Sequence, residues 1–96
     1  VRRVGVPGAF VKAVRKAVEL GDERMLARTL LEYLRARGIQ AWLNEFGAIT
    51  VFSSEARDAI RAIKELRRAA GVEFCVTAWP SGGFGPVVLA VDTEPC

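Results

Sequence analysis

Ninety-six residues, 51% of them hydrophobic and 26% charged, make one globular domain over 1–96: too short for two cores and too apolar for disorder. No apolar run reaches the ~20 residues of a membrane helix, and the first residues lack a charged-then-apolar leader pattern, so a cytoplasmic protein is expected. A net charge of +3 is too mild to imply a nucleic-acid partner by itself.

Residue usage adds a hint. Arg outnumbers Lys eleven to three, His is absent, and Gln40 and Asn44 are the only side-chain amides. Such a bias suggests a thermophile.

In chain order, Val1–Val6 offers a short edge strand, against which Gly5 and Pro7 argue. Ala9 to Leu20 reads as a helix with Phe10, Val11, Val14, Ala17 and Val18 on one side. Gly21 ends it and Asp22 caps the next helix. That second helix runs to about Arg37, burying Leu26, Leu30, Tyr33 and Leu34, and Gly38 closes it. The stretch from Gly38 to Thr77 organises the rest. Ile39, Ala41 and Leu43 alternate with Gln40, Trp42 and Asn44, the period of a half-buried strand. Asn44 to Gly47 is turn chemistry, and Ile49 and Val51 resume the buried face. Ser53 or Ser54 is the expected cap of a third helix with an apolar stripe at Ala56, Ala59, Ile60, Ile63, Leu66 and Ala70. Gly71 stops that helix, Val72 to Val76 return to the sheet, and Ala78 to Pro86 (AWPSGGFGP) reads as a long connection. Val87 to Asp92 is the last strand.

The class is therefore α+β: an antiparallel-rich four- to five-stranded sheet with three helices on one face, in the order (β)ααββαββ. With its first strand the core resembles a ferredoxin-like βαββαβ arrangement with an added C-terminal strand; this is a likeness of fold and implies no activity.

Three features bear on function. Arg57, Arg61, Lys64 and Arg68 fall on one stripe of the third helix, opposite its apolar side, and form like-charge pairs four residues apart. Asp58 and Glu65 flank the stripe and are expected to pair with Arg61 and Arg68. A solvated face is the plain reading, and a helix that tracks phosphates is the sharper one. Lys12, Arg15 and Lys16, with Arg24, Arg28 and Arg35, lie outside on the other helices and extend a basic layer. Residues 71–96 carry three acids and no base. The opposite sheet face collects Trp42, Phe52, Cys75, Val88 and Ala90 without a Lys or Arg. It suits an oligomer interface better than a base-stacking platform, with Trp79 and Phe84 lending themselves from the glycine-rich connection. Gly82, Gly83 and Gly85 could form an anion nest, though the lysine and helix of a phosphate loop are missing.

For chemistry the sequence offers little. Without His the commonest base and metal ligand are absent, so no catalytic residue, cofactor or metal is assigned. Asp92, Glu94 and Glu73 at strand ends are the one set that could hold Mg²⁺ for phosphodiester chemistry. Cys75 is expected opposite position 89, which leaves Cys96 out of reach, so both are expected as free thiols. Hyperthermophile cytosols nonetheless permit disulfides. Three readings result: a small non-enzymatic, oligomeric nucleic-acid-associated protein; a protein-interaction or assembly module; and a Mg-dependent nuclease.

Overall fold

The computed structural model describes residues 5–82 and 85–96. Its elements run α1 (Gly8–Leu20), α2 (Glu23–Ala36), β1 (Ala41–Leu43), β2 (Ile49–Val51), a 3₁₀ turn (Ser53–Glu55), α3 (Ala56–Ala70), β3 (Cys75–Pro80) and β4 (Val87–Asp92). This is the expected ααββαββ order. The expected strand at Val1–Val6 falls largely on residues 1–4, outside the described residues, while Gly5 and Val6 belong to no strand. The ferredoxin-like comparison turned on that strand.

The α1–α2 corner follows from its residues. Gly21 takes φ 64°, a left-handed value open to glycine without a Cβ penalty, and Asp22 accepts the Met25 N–H at 3.0 Å. Replacing Asp22 with Ala should cost ~1 kcal/mol, read as a lower thermal midpoint; an unchanged midpoint would show the cap to be redundant. The β1–β2 turn is held from one side chain: Asn44 Oδ1 accepts from Phe46 N–H and Ala48 N–H. The two serines do not cap α3. They form the 3₁₀ turn, no side chain caps the helix, and Glu55 accepts instead from the Gln40 N–H.

The sheet has the order β1-β2-β4-β3 with every neighbouring pair antiparallel. Strands β2 and β3 are therefore parallel, and the α3 crossover between them leaves room for β4 to slot in. Strand β3 continues through Ala78, Trp79 and Pro80, so the expected nine-residue connection is shorter. The Ser81 N–H donates to the Pro86 carbonyl and the Gly85 N–H to Gly82, closing a tight hairpin.

The short dimension of the molecule is 20 Å, room for one sheet and one helix layer, so all three helices share one face. Between the layers lie Val14 and Ala17 of α1, Leu26, Leu30, Tyr33 and Leu34 of α2, and Ala59, Ile63 and Leu66 of α3. They close on Ile49, Val51, Phe74 and Leu89. Phe10 meets Tyr33 edge-on with ring centroids 5.2 Å apart, a favoured aromatic geometry. The Tyr33 hydroxyl is not orphaned by burial, since Arg37 Nη1 donates to it at 3.0 Å.

Cys75 and Cys96 are joined in a disulfide, with Cα atoms 4.8 Å apart. The free-thiol expectation is corrected by the register. Cys75 pairs with Asp92, not with position 89, so the last four residues need only bend back to reach it. The bend is visible in the Glu94 N–H donating to Asp92 Oδ1.

Candidate functional site

Helix α3 buries Ala59, Ala62, Ile63, Leu66 and Ala70. At about 100° per residue these centre on one line, and Arg57, Arg61, Lys64 and Arg68 lie within about 60° of arc directly opposite. All four cations are exposed. Relative to expectation the buried stripe is rotated: Ala62 joins it, while Ala56 and Ile60 are only partly buried.

The acids beside this stripe do not neutralise it. Glu65 pairs with Arg37 across 28 residues of sequence, Nη1 to Oε2 at 2.8 Å, the one salt bridge among the described residues. The expected Asp58–Arg61 and Glu65–Arg68 pairs do not form. Arg37 is drawn there because Tyr33, one turn back on α2, holds the same nitrogen. The Glu65 carboxylate and the Tyr33 hydroxyl together raise the Arg37 pKa above its ordinary value. The pair is largely solvated, so its contribution to stability is small.

Two further arginines of α1 and α3 have structural tasks. Arg15 Nε donates to the Ala70 carbonyl at 2.7 Å, a cation on the negative end of α3. Arg15 as a whole remains exposed, and it thereby joins the outer face of α1, with exposed Lys12 and Lys16, to the end of the α3 stripe. Arg67 turns inward instead. Its Nη1 donates to the Phe74 carbonyl at 3.2 Å and its guanidinium lies 5.8 Å from the Phe74 ring centroid. On α2, Arg24, Arg28 and Arg35 are exposed, and Arg35 Nε donates to the Ala41 carbonyl.

The sheet face away from the helices brings together most of the other residues singled out from sequence. One cross-strand row runs Trp42, Thr50, Val88, Trp79 over all four strands, and Ala90 pairs with Thr77 beside it. Trp79 belongs to a strand, not to a connection. Phe52 packs on Trp42 with centroids 5.1 Å apart. Thr50, on this outer face, is nevertheless buried between its neighbours. Trp79 stays 62% and Phe52 48% exposed, so the face offers large apolar surface and no charge within its central row. Cys75 lies on the same face, committed to its disulfide. Phe84 and Gly83 lie outside the described residues.

Among the described residues no group of three or more Asp, Glu, Cys or His side chains could hold a metal. Asp92 is instead engaged in its own turn, so the Asp92, Glu94 and Glu73 set does not assemble. Sequence reasoning did not single out an open groove of about 610 Å³ between the start of α2 and the β1–β2 turn. Its charged rim is balanced, Glu23 and Glu45 against Arg24 and Arg28, and expresses no preference for a ligand charge. No helix is long and apolar enough to cross a membrane among the described residues. Compared with protein-family models, with curated proteins and with solved structures, the chain matches none.

Proposed function

We propose that this is a small, non-enzymatic, self-associating protein that binds nucleic acid through the outer face of α3, extended by Lys12, Arg15 and Lys16 of α1. The observation that carries the reading is the stripe Arg57, Arg61, Lys64 and Arg68: four exposed cations, none in an ion pair among the described residues. Like charges stacked along one helix repel one another, and a polyanion relieves that repulsion. Arginine forks match phosphate oxygens, so the contacts are to backbone and carry no base preference.

A protein-interaction or assembly role is the second reading, favoured by the uncharged outer face of the sheet. Trp42, Phe52, Val88, Ala90 and Trp79, with Cys75, form the apolar surface that the sequence marks for association, and in this second reading a partner protein covers it. A cytoplasmic setting is compatible with the Cys75–Cys96 bond where the cytosol permits disulfides, as in hyperthermophiles, which also fits the scarcity of amides.

A salt series tests the first reading. Affinity for RNA or DNA should fall linearly on logarithmic axes, each neutralised phosphate contributing about 0.9 to the slope on duplex DNA. Arg61→Glu with Arg68→Glu should weaken binding equally on unrelated sequences and lower that slope by about 2. No retention of either nucleic acid at low salt would sink the proposal.

A further inference from the structure

Among the described residues strand β3 is a free edge of the sheet, with β1 at the other side. The pairing decides which of its backbone groups face outward. Ser81 donates to Pro86, and the β3–β4 register carries that pairing back through Trp79↔Val88, Thr77↔Ala90 and Cys75↔Asp92. Bonded and non-bonded pairs alternate in an antiparallel ladder. Cys75, Thr77 and Trp79, in step with Ser81, therefore aim their N–H and C=O groups at β4. Val76, Ala78 and Pro80 aim theirs away from the sheet.

Edges are usually guarded by shortness or by charge. Strand β1 is guarded by its three residues. Strand β3 has six, CVTAWP, with no charged side chain, and its last four residues are exposed.

We propose that β3 pairs antiparallel with β3 of a second copy, about a two-fold axis at Thr77. This inference rests on the reading that the chain self-associates, and it names the contact. The edge is complementary to itself with the axis so placed. With the axis at Thr77, Val76 of each copy exchanges both backbone bonds with Ala78 of the other, four bonds in all. The next outward pair is Phe74 with Pro80. Pro80 has no N–H to give, and the Phe74 carbonyl that would have received it already accepts from Arg67. The missing donor meets an acceptor already supplied. Moving the axis to Ala78 would set Val76 opposite Pro80 and leave the Val76 carbonyl without a donor in each copy. That match of lacks and surpluses favours a second copy over an unrelated peptide.

The side chains agree with this register. Thr77 meets Thr77 at the axis, a favourable cross-strand pair. Trp79 of each copy stands opposite Cys75 of the other and loses part of its exposure. The two outer sheet faces join into one eight-stranded surface.

Sedimentation at micromolar concentration, combined with amide exchange at Val76 and Ala78 at two concentrations, tests this. The expected result is a dimer whose two amides are protected when concentrated and exchange freely on dilution. Ala78→Pro, which removes an N–H that β4 does not use, should return the monomer, while Trp42→Glu with Phe52→Glu keeps the dimer. A dimer that survives Ala78→Pro but not the face variant upholds self-association and overturns the edge contact. A monomer at every concentration overturns both. Amides protected equally at all dilutions give the edge to a segment of the same chain, and overturn the proposal as well. Should Ala78→Pro fail to fold, the exchange of the unaltered protein decides.

Discussion

Phe74→Ala should destabilise the protein by about 3–5 kcal/mol, the usual cost of emptying an aromatic site in a packed core. Phe74 sits just ahead of β3 and is 1% exposed, among the largest fully buried side chains. One arginine contact adds to the loss, because the Arg67 guanidinium covers the ring, whereas its bond to the position-74 carbonyl is to backbone that alanine keeps. Against a total stability of roughly 5–15 kcal/mol for a domain, such a loss leaves a marginal protein. Urea denaturation should show a much lower midpoint with an unchanged slope. Phe46→Ala is the control: Phe46 is 85% exposed at the hairpin turn and should move stability by no more than about 0.5 kcal/mol. A Phe74→Ala midpoint equal to that of Phe46→Ala would remove Phe74 from the core.

What the sequence made legible was what depends on local period and local turn chemistry. The three helices, the Gly21–Asp22 corner and the Asn44–Gly47 turn each need only neighbours in the chain to declare themselves. The basic stripe of α3 was legible for the same reason, since four positions at helical spacing fix one side of a helix. What escaped depends on partners distant in the chain. Glu65 was expected to serve Arg68 one turn away, but the α2 end brings Arg37 to it first. Read from sequence, strand β3 ends early, because Trp79-Pro80 precedes a glycine cluster and reads as a break. Proline is tolerated there because its nitrogen faces away from β4, on the side of β3 that has no partner strand among the described residues. That lengthening moved Trp79 into the outer row beside Val88 and set the register in which Cys75 meets Asp92. Without the register, the reach of Cys96 could not be judged.

The disulfide that follows from this register should be the second large contributor to stability. Reducing it, or replacing Cys96 with Ser, should cost ~3 kcal/mol, because a cross-link between residues 21 apart restricts the unfolded chain by about that much. Little of the cost arises in the folded protein. Cys75 is half-buried and Cys96 exposed, so no core cavity opens when the bond is lost. Far-ultraviolet spectra of the oxidised and reduced proteins should therefore overlay while their thermal midpoints differ by more than ~10 °C, at roughly 4–8 °C per kcal/mol for a domain of this size. The double replacement of Cys75 and Cys96 by Ser should match the reduced protein, since both remove the same single constraint. Alkylation without reductant gives an independent reading: the joined pair takes up no label, and reduction exposes two sites. Two labelled cysteines in the unreduced, folded protein would show that the bond does not form. Coincident midpoints with the bond intact and broken would show that the closing segment, Thr93 to Cys96, holds its place on β3 without it.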